Sequence, residues 1–148
     1  MAGNFNGYSG ARNGRPTRHA PPEKLTALPL PEDFVAAAES VFCDNDDSRK
    51  ITTSKIRRLF SLLTDIYNNE KRNSGETLAQ ASIDQLRLAQ IRLLYEAGRD
   101  PKVKAFLQKA RLVEYLKDIG SSRTKMLRYF HYMEALVAYH KFYGGKEG

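Results

Sequence analysis

The sequence predicts an all-α fold: a single compact bundle of about five helices, preceded by a flexible basic N-terminal tail. Beyond position 32, apolar residues recur at the spacing of one helix face in segment after segment, and no convincing alternating strand interrupts them. Residues that start and stop helices (Thr, Asp-Pro and Gly) punctuate those segments at helix-length intervals. At 148 residues the chain is long enough for one domain with a real core and too short for two.

Residues 1–31 are rich in Gly, Asn, Pro and Arg. Before Leu25 they offer no apolar periodicity to offset the entropy of ordering, so they are assigned to the tail. Arg12, Arg15, Arg18 and Lys24 against Glu23 make it basic, a feature that fits nonspecific attraction to RNA, a solubilising extension or an expression scar equally well. The helical domain is assigned to 32–145. Its first helix, 32–43, follows Pro29 and Pro31 and carries acids in its first turn, as the helix dipole prefers. Cys43, the single cysteine, excludes an intrachain disulfide and a Cys-based zinc cage, and is expected to be buried. In the loop that follows, Asp44, Asp46 and Ser48 mimic the opening of a calcium loop. Arg49 replaces the required Gly and Lys55 stands where the bidentate Glu belongs, so calcium is rejected.

The second helix, 53–70, begins in ITTSKIRRLFSLLTDIY, the most informative run of the chain. Thr52 or Thr53 can accept free first-turn N–H groups, and Ile56, Leu59, Phe60, Leu63, Ile66 and Tyr67 recur on one face. Lys55, Arg57 and Arg58 lie at the rim of that stripe or outside it. Cations this early oppose the helix dipole, so something other than local stability favours them, and a polyanion is the obvious candidate. The third helix, 76–97, is apolar over most of its circumference: Ile83, Leu86, Leu93 and Ala97 on one side, Leu88, Ile91 and Tyr95 on another. It is therefore expected at the centre of the bundle. A narrow polar strip of Gln85, Arg92 and Arg99 survives on it, and Gly98 is expected as its left-handed cap. Asp100-Pro101 restarts a fourth helix, 101–119, ending at Gly120. The fifth, 122–143, carries Met126, Phe130, Met133 and Val137 on one stripe, with Tyr129, Tyr132, Leu136, Tyr139 and Tyr143 on its flank, and Gly144-Gly145 stops it.

No catalytic chemistry is legible. His131 and His140 are nine apart on a helix and point different ways, and His19 lies in the tail, so no metal site is expected. No nucleophile signature or phosphate-binding glycine loop is present, and neither an enzyme activity, a cofactor nor a small-molecule substrate is expected. Acids such as Asp65, Asp84 and Glu134 read as solvated surface pairs. No apolar run approaches the ~20 residues of a membrane span. Without a signal-peptide or acylation pattern, the expected location is cytoplasmic, away from membranes. The charge is informative: 24 Lys+Arg against 17 Asp+Glu give +7 and a pI near 9.6. The cations concentrate at Arg57/Arg58, at Arg92/Arg99 with Lys102 and Lys104, and at Arg123/Lys125/Arg128. Three concentrations with few acids inside fit a sugar-phosphate track as well as solvated helix faces. The tyrosine flank of the fifth helix fits either base stacking or, more commonly, core and interface.

Three blocks go beyond composition: KITTSKIRRLFSLLTDIYN at 50–68, LRLAQIRLLYEAGRDPKVKAFL at 86–107 and MLRYFHYMEALVAYHKFYGG at 126–145. In order and spacing they resemble the small subunit of the type III-A CRISPR effector, the Csm complex, over roughly 33–145. The resemblance implies a non-catalytic helical subunit in antiviral defence, stacking in several copies along the backbone subunits. It also implies sequence-independent binding of single-stranded RNA or of the duplex of guide CRISPR RNA and target RNA, with cleavage left to the backbone and large subunits. Its implied RNA-binding residues are Lys55, Arg57, Arg58, Arg92, Arg99 and Arg128; the charge pattern adds Lys102, Arg123 and Lys125. The competing expectation is a purely protein-scaffolding bundle whose cations pair with acidic faces of neighbouring subunits; association with other copies of itself is expected from its apolar surface.

Overall fold

A computed structural model describes residues 24–43 and 47–148. Among them are six α-helices, α1 Phe34–Cys43, α2 Thr53–Glu70, α3 Gln80–Arg99, α4 Pro101–Ala110, α5 Leu112–Ile119 and α6 Arg123–Phe142, with a 3-10 turn at Asp47–Arg49. The flexibility expected of residues 1–23, and Asp44 and Asp46 of the rejected calcium loop, lie outside the described residues. The last part of the expected tail is docked. Leu25 and Leu30 pack on the core, Leu28 N donates to Glu114 O at 3.0 Å, and Lys117 Nζ donates to Leu25 O at 2.6 Å.

α6 is the axis of the bundle, packed against α1, α2 and α5. It buries Met126, Tyr129, Phe130, Tyr132, Met133 and Leu136, so that its tyrosine and apolar stripes merge into one broad face over about half its circumference. The sequence assigned that place to the third helix. α3 buries only Leu86, Ala89, Leu93 and Ala97 of its apolar residues, while Leu88, Ile91 and Tyr95 stand in solvent at 53%, 61% and 63% exposure. It is a peripheral helix with an apolar outer edge.

α2 follows its predicted limits. Thr52 Oγ1 accepts Lys55 N at 3.2 Å, and Ile56, Leu59, Leu63 and Ile66 form the buried stripe. Phe60 and Tyr67 lie at its edge against Phe130: Tyr67 stacks on that ring with centroids 3.9 Å apart, and Phe60 is tilted to it at 4.6 Å. α1 is capped by Asp33, whose Oδ1 accepts Ala36 N at 3.0 Å. Ala38, Val41 and Phe42 are its buried stripe. Cys43 falls one position off that stripe and is exposed, contrary to expectation.

Two element boundaries differ from the periodicity for tertiary reasons. α3 starts at Gln80, not near 76, because residues 76–79 are held extended beside the start of α6. Thr77 and Ser122 form an antiparallel bridge, Leu78 N donates to Ser121 O at 2.8 Å, and Arg123 N donates to Glu76 O at 2.9 Å. α3 continues through Gly98 to Arg99, where Asp100 turns the chain and accepts Lys102 N at 2.9 Å. The predicted fourth helix is two helices. Arg111 adopts the left-handed conformation, φ 53°, and breaks it between Ala110 and Leu112. Ala110 O, which would otherwise accept from the next helical turn, receives the Tyr132 hydroxyl at 2.8 Å, and the Tyr129 hydroxyl reaches Leu112 O at 2.7 Å. Both tyrosines are therefore core, and burial pushes both phenols to higher pKa.

The junction of α2, α3 and α6 rests on a buried ion pair. Glu70 is fully buried at the end of α2, and Arg123, 7% exposed at the start of α6, donates Nε to its Oε1 at 2.9 Å. Arg123 also donates to Gly75 O, and to Thr77 O at 2.9 Å, so it fastens the loop between α2 and α3. The other carboxylate oxygen accepts Ala79 N at 3.1 Å and Ser82 Oγ at 2.5 Å. Ala79, the N-cap residue of α3, has no side-chain cap of its own, so Glu70 supplies it from a neighbouring helix. Burial alone would raise the Glu70 pKa. Hydrogen bonds from Ser82, Ala79, Arg123 and Asn73 outweigh it and hold the carboxyl below the usual carboxylate range.

Arg123→Met should leave Glu70 buried without its counter-charge and cost about 3–5 kcal/mol in urea unfolding, the scale for breaking a buried pair. With the Glu70 pKa depressed in the fold, its stabilisation is present above the unfolded carboxylate pKa and disappears as pH falls through the folded value. Acid titration of the wild type should therefore show a stability loss below about pH 4.5, diminished in Glu70→Gln.

Candidate nucleic-acid interface

The start of α2, the end of α3 and the start of α4 meet at one end of the bundle, around a cleft of about 260 Å³ lined by Lys55, Arg58, Glu96, Arg99 and Asp100. Asp100, the residue that caps α4, pairs with Lys55, and that hydrogen bond with the one from Lys102 N lowers its pKa. Glu96 lies 3.7 Å from Arg58 and 3.5 Å from Arg99. Such long contacts between exposed groups contribute little stability and leave both guanidiniums free to reach outward. Arg57 and Lys102 are exposed beside them. Part of what offsets the unfavourable dipole term at Lys55 is thus internal, the Asp100 carboxylate, while Arg57 and Arg58 keep their outward charge.

A second, larger cleft of about 430 Å³ adjoins it, lined by Arg49, Lys50, Lys102, His140, Lys146 and the Gly144-Gly145 turn. The chain after α6 doubles back over the start of α2. Lys146 O accepts Thr53 N at 2.7 Å, and Glu147 O accepts Ser54 N at 2.8 Å. These carbonyls satisfy first-turn N–H groups that a helix leaves open. His140 anchors this strap from below. Its Nε2–H donates to Ile51 O at 2.6 Å and its Nδ1 accepts the Thr53 hydroxyl at 3.2 Å, which places the neutral tautomer between them. Gly145 passes so close to the imidazole that a Cβ there would overlap the ring. Burial lowers the His140 pKa; the bond to Ile51 O opposes this, Lys141 and Arg49 add to it, and Glu147 opposes it.

The nine cations singled out by sequence do not form one surface. Lys55, Arg57, Arg58, Arg99 and Lys102 converge at this end. Arg92 is exposed on α3, about 10 Å along the helix from Arg99. Lys125 and Arg128 sit near the start of α6, about 18–23 Å along its axis from His140. There they serve internal contacts. Lys125 pairs with Asp118 at 3.2 Å, and Arg128 donates to Pro31 O at 3.0 Å and Glu32 O at 3.1 Å while covering the Phe34 ring. Arg123 is not on the surface at all: it is the buried partner of Glu70. Sequence reasoning left out Arg49, Lys50 and Lys146 at the convergent end, although Lys50 opens the first block it singled out. It also sought a stacking tyrosine on the last helix, whose Tyr129 and Tyr132 are buried, while the exposed rings are Tyr95 on α3 and Phe142 at the end of α6. Among the described residues no cluster of His, Cys, Asp or Glu is placed to hold a metal ion, and no helix is long and apolar enough to cross a membrane.

Comparison with known proteins finds relatives over most of the chain. The family model for Csm2 of type III-A matches residues 30–146. A CRISPR system Cms protein Csm2 from Streptococcus thermophilus is 38% identical over 125 residues, covering 82% of this chain and 99% of the relative. Its namesake from Mycobacterium tuberculosis is 32% identical over 120 residues, covering 80% and 97%. Another from Enterococcus italicus is 36% identical over 95 residues, covering 63% and 68%.

The His140 clasp has a pH signature. A histidine with its pKa lowered in the fold contributes stability that is fully present above its unfolded pKa, near 6.5, and is lost as pH falls toward the folded value. The melting temperature should drop between about pH 7 and pH 5.5, and His140→Gln, which retains a donor and an acceptor, should lack that segment of the profile.

Proposed function

The chain belongs to the Csm2 type III-A family, and on that premise we propose that it is a non-catalytic small subunit of the type III-A CRISPR effector that holds guide and target RNA by the sugar-phosphate backbone. The observation that carries this reading is the convergence of Lys55, Arg57, Arg58, Arg99 and Lys102 from three helices onto one end of the bundle. Lys146 extends it, beside Arg49 and Lys50, which also hold Tyr143 O and Asp47. Dispersed cations of this kind neutralise phosphates without reading bases, and a guide of arbitrary sequence requires that. Arg92 continues the track along α3. Lys125 and Arg128 contribute at most at its far end, and Arg123 contributes through the fold alone. The subunit works in the cytoplasm, beside the backbone and large subunits and further copies of itself.

A scaffolding role without RNA contact is favoured by one feature, the exposed apolar edge of α3. Salt separates the two readings. Fluorescence anisotropy of the full chain with unrelated single-stranded RNAs should show sequence-blind binding that weakens with salt at a slope of about −0.7 per phosphate contact. Arg57→Ala/Arg58→Ala/Lys102→Ala should reduce that slope by about 2. An unchanged slope in the triple variant, or failure of the wild type to bind RNA at low salt, would sink the RNA reading and leave the scaffold.

A further inference from the structure

Phe142, at the end of α6, is an exposed aromatic ring, at 79%, and so is Tyr95, 63% accessible on the outer face of α3. Arg99, one turn on, places its guanidinium carbon 5.4 Å from the ring centroid, and Arg92, one turn back, stands on the same face. Glu96 lies 3.5 Å from the Arg99 guanidinium. A phenol with a guanidinium over its ring and bordered by further cations combines the two elements of single-strand recognition: a flat π surface and charge spaced along a backbone. The flanking residues Ile91 and Leu88 carry no charge and leave the approach to the ring open.

We propose that Tyr95 and Arg99 form a stacking platform for an unpaired base of single-stranded RNA, whose flanking phosphates lie against Arg92 on one side and Lys102 and Arg58 on the other. This rests on the RNA reading above and narrows it, since a base paired in a duplex cannot present its face to the ring. Charge complementarity favours the polyanion over a protein partner. On this stretch of α3 and its junction with α4, the acids Glu96 and Asp100 are already engaged by Arg58, Arg99 and Lys55, and Arg92 and Lys102 remain outward.

The chain contains no tryptophan, so Tyr95→Trp introduces a single reporter on the platform. Its fluorescence should be quenched by single-stranded oligouridine and oligoadenosine. An abasic strand of equal charge or a pre-formed duplex should not quench it. In anisotropy, Tyr95→Ala should weaken single-strand binding by about 5- to 150-fold with the salt slope unchanged, and Tyr95→Phe should retain it. If the abasic strand binds as tightly as RNA and Tyr95→Ala matches the wild type, the platform is overturned while the phosphate track stands. If no strand binds with or without bases, both fall. If Tyr95→Ala retains RNA affinity and loses assembly with protein instead, the ring belongs to a protein interface and the platform is again overturned.

Discussion

The Glu70–Arg123 pair is the constraint on which the rest of this bundle depends. One carboxylate ends α2, caps α3 and receives the first residue of α6, and the guanidinium opposite it closes the intervening loop through two carbonyls. A buried ion pair is a poor source of net stability, because desolvation cancels much of the Coulomb attraction. Its contribution here is to register. Glu70 satisfies the Ala79 N–H, and the fixed, spread donors of a guanidinium serve a carboxylate and two carbonyls in different directions together. Three helices are thereby held in one relative placement, and the stripes of α2 and α6 meet ring on ring at Phe60, Tyr67 and Phe130.

That placement divides the positive charge. With the pair fixing the end of α2 to the start of α6, the two helices run in opposite directions, and the cations of their first turns are sent to opposite ends of the molecule. At the α6 end, Lys125 and Arg128 hold the docked segment before α1 and the end of α5. At the α2 end, the Asp100 turn folds α4 against Lys55 and brings Arg99 and Lys102 beside Arg57 and Arg58. The strap beyond α6 occupies open N–H groups of α2, while His140 bonds Ile51 O and the Thr53 hydroxyl beneath it. The first turn is satisfied by neutral carbonyls and the Thr52 hydroxyl; of the cations around it, Lys55 pairs with Asp100 and Arg57 feels the Glu147 carboxylate of the strap, while Arg58 and Lys102 are exposed.

The helices were legible in the sequence wherever their burial followed a single face. α1, α2 and α6 fall close to their predicted limits because one apolar stripe, an N-terminal cap and a stop signal agree in each. The family was legible too, since three blocks in fixed order over most of the chain are a stronger signal than any one amphipathic helix. The misreadings share a cause. Apolar residues on several sides of α3 suggested a central helix, but Leu88, Ile91 and Tyr95 face solvent, and periodicity reports which residues share a face without reporting what covers it. The break at Arg111 was invisible because an arginine carries no turn signal. The buried hydroxyl of Tyr132, reaching Ala110 O from another helix, takes up the carbonyl the break exposes.

By itself, then, the sequence determined the helical class, most of the core, the net positive charge and the family, because each is a property of local pattern or of ordered motifs along one dimension. Tertiary structure alone decided which cations face outward and together. Arg57 and Arg123 look alike in the sequence, each in a basic run at a helix start. One is exposed, and the other is enclosed by Glu70, a residue 53 positions away. Charge is encoded residue by residue, but its availability is set by desolvation and by the counter-charge that folding brings alongside, and neither is written in local spacing.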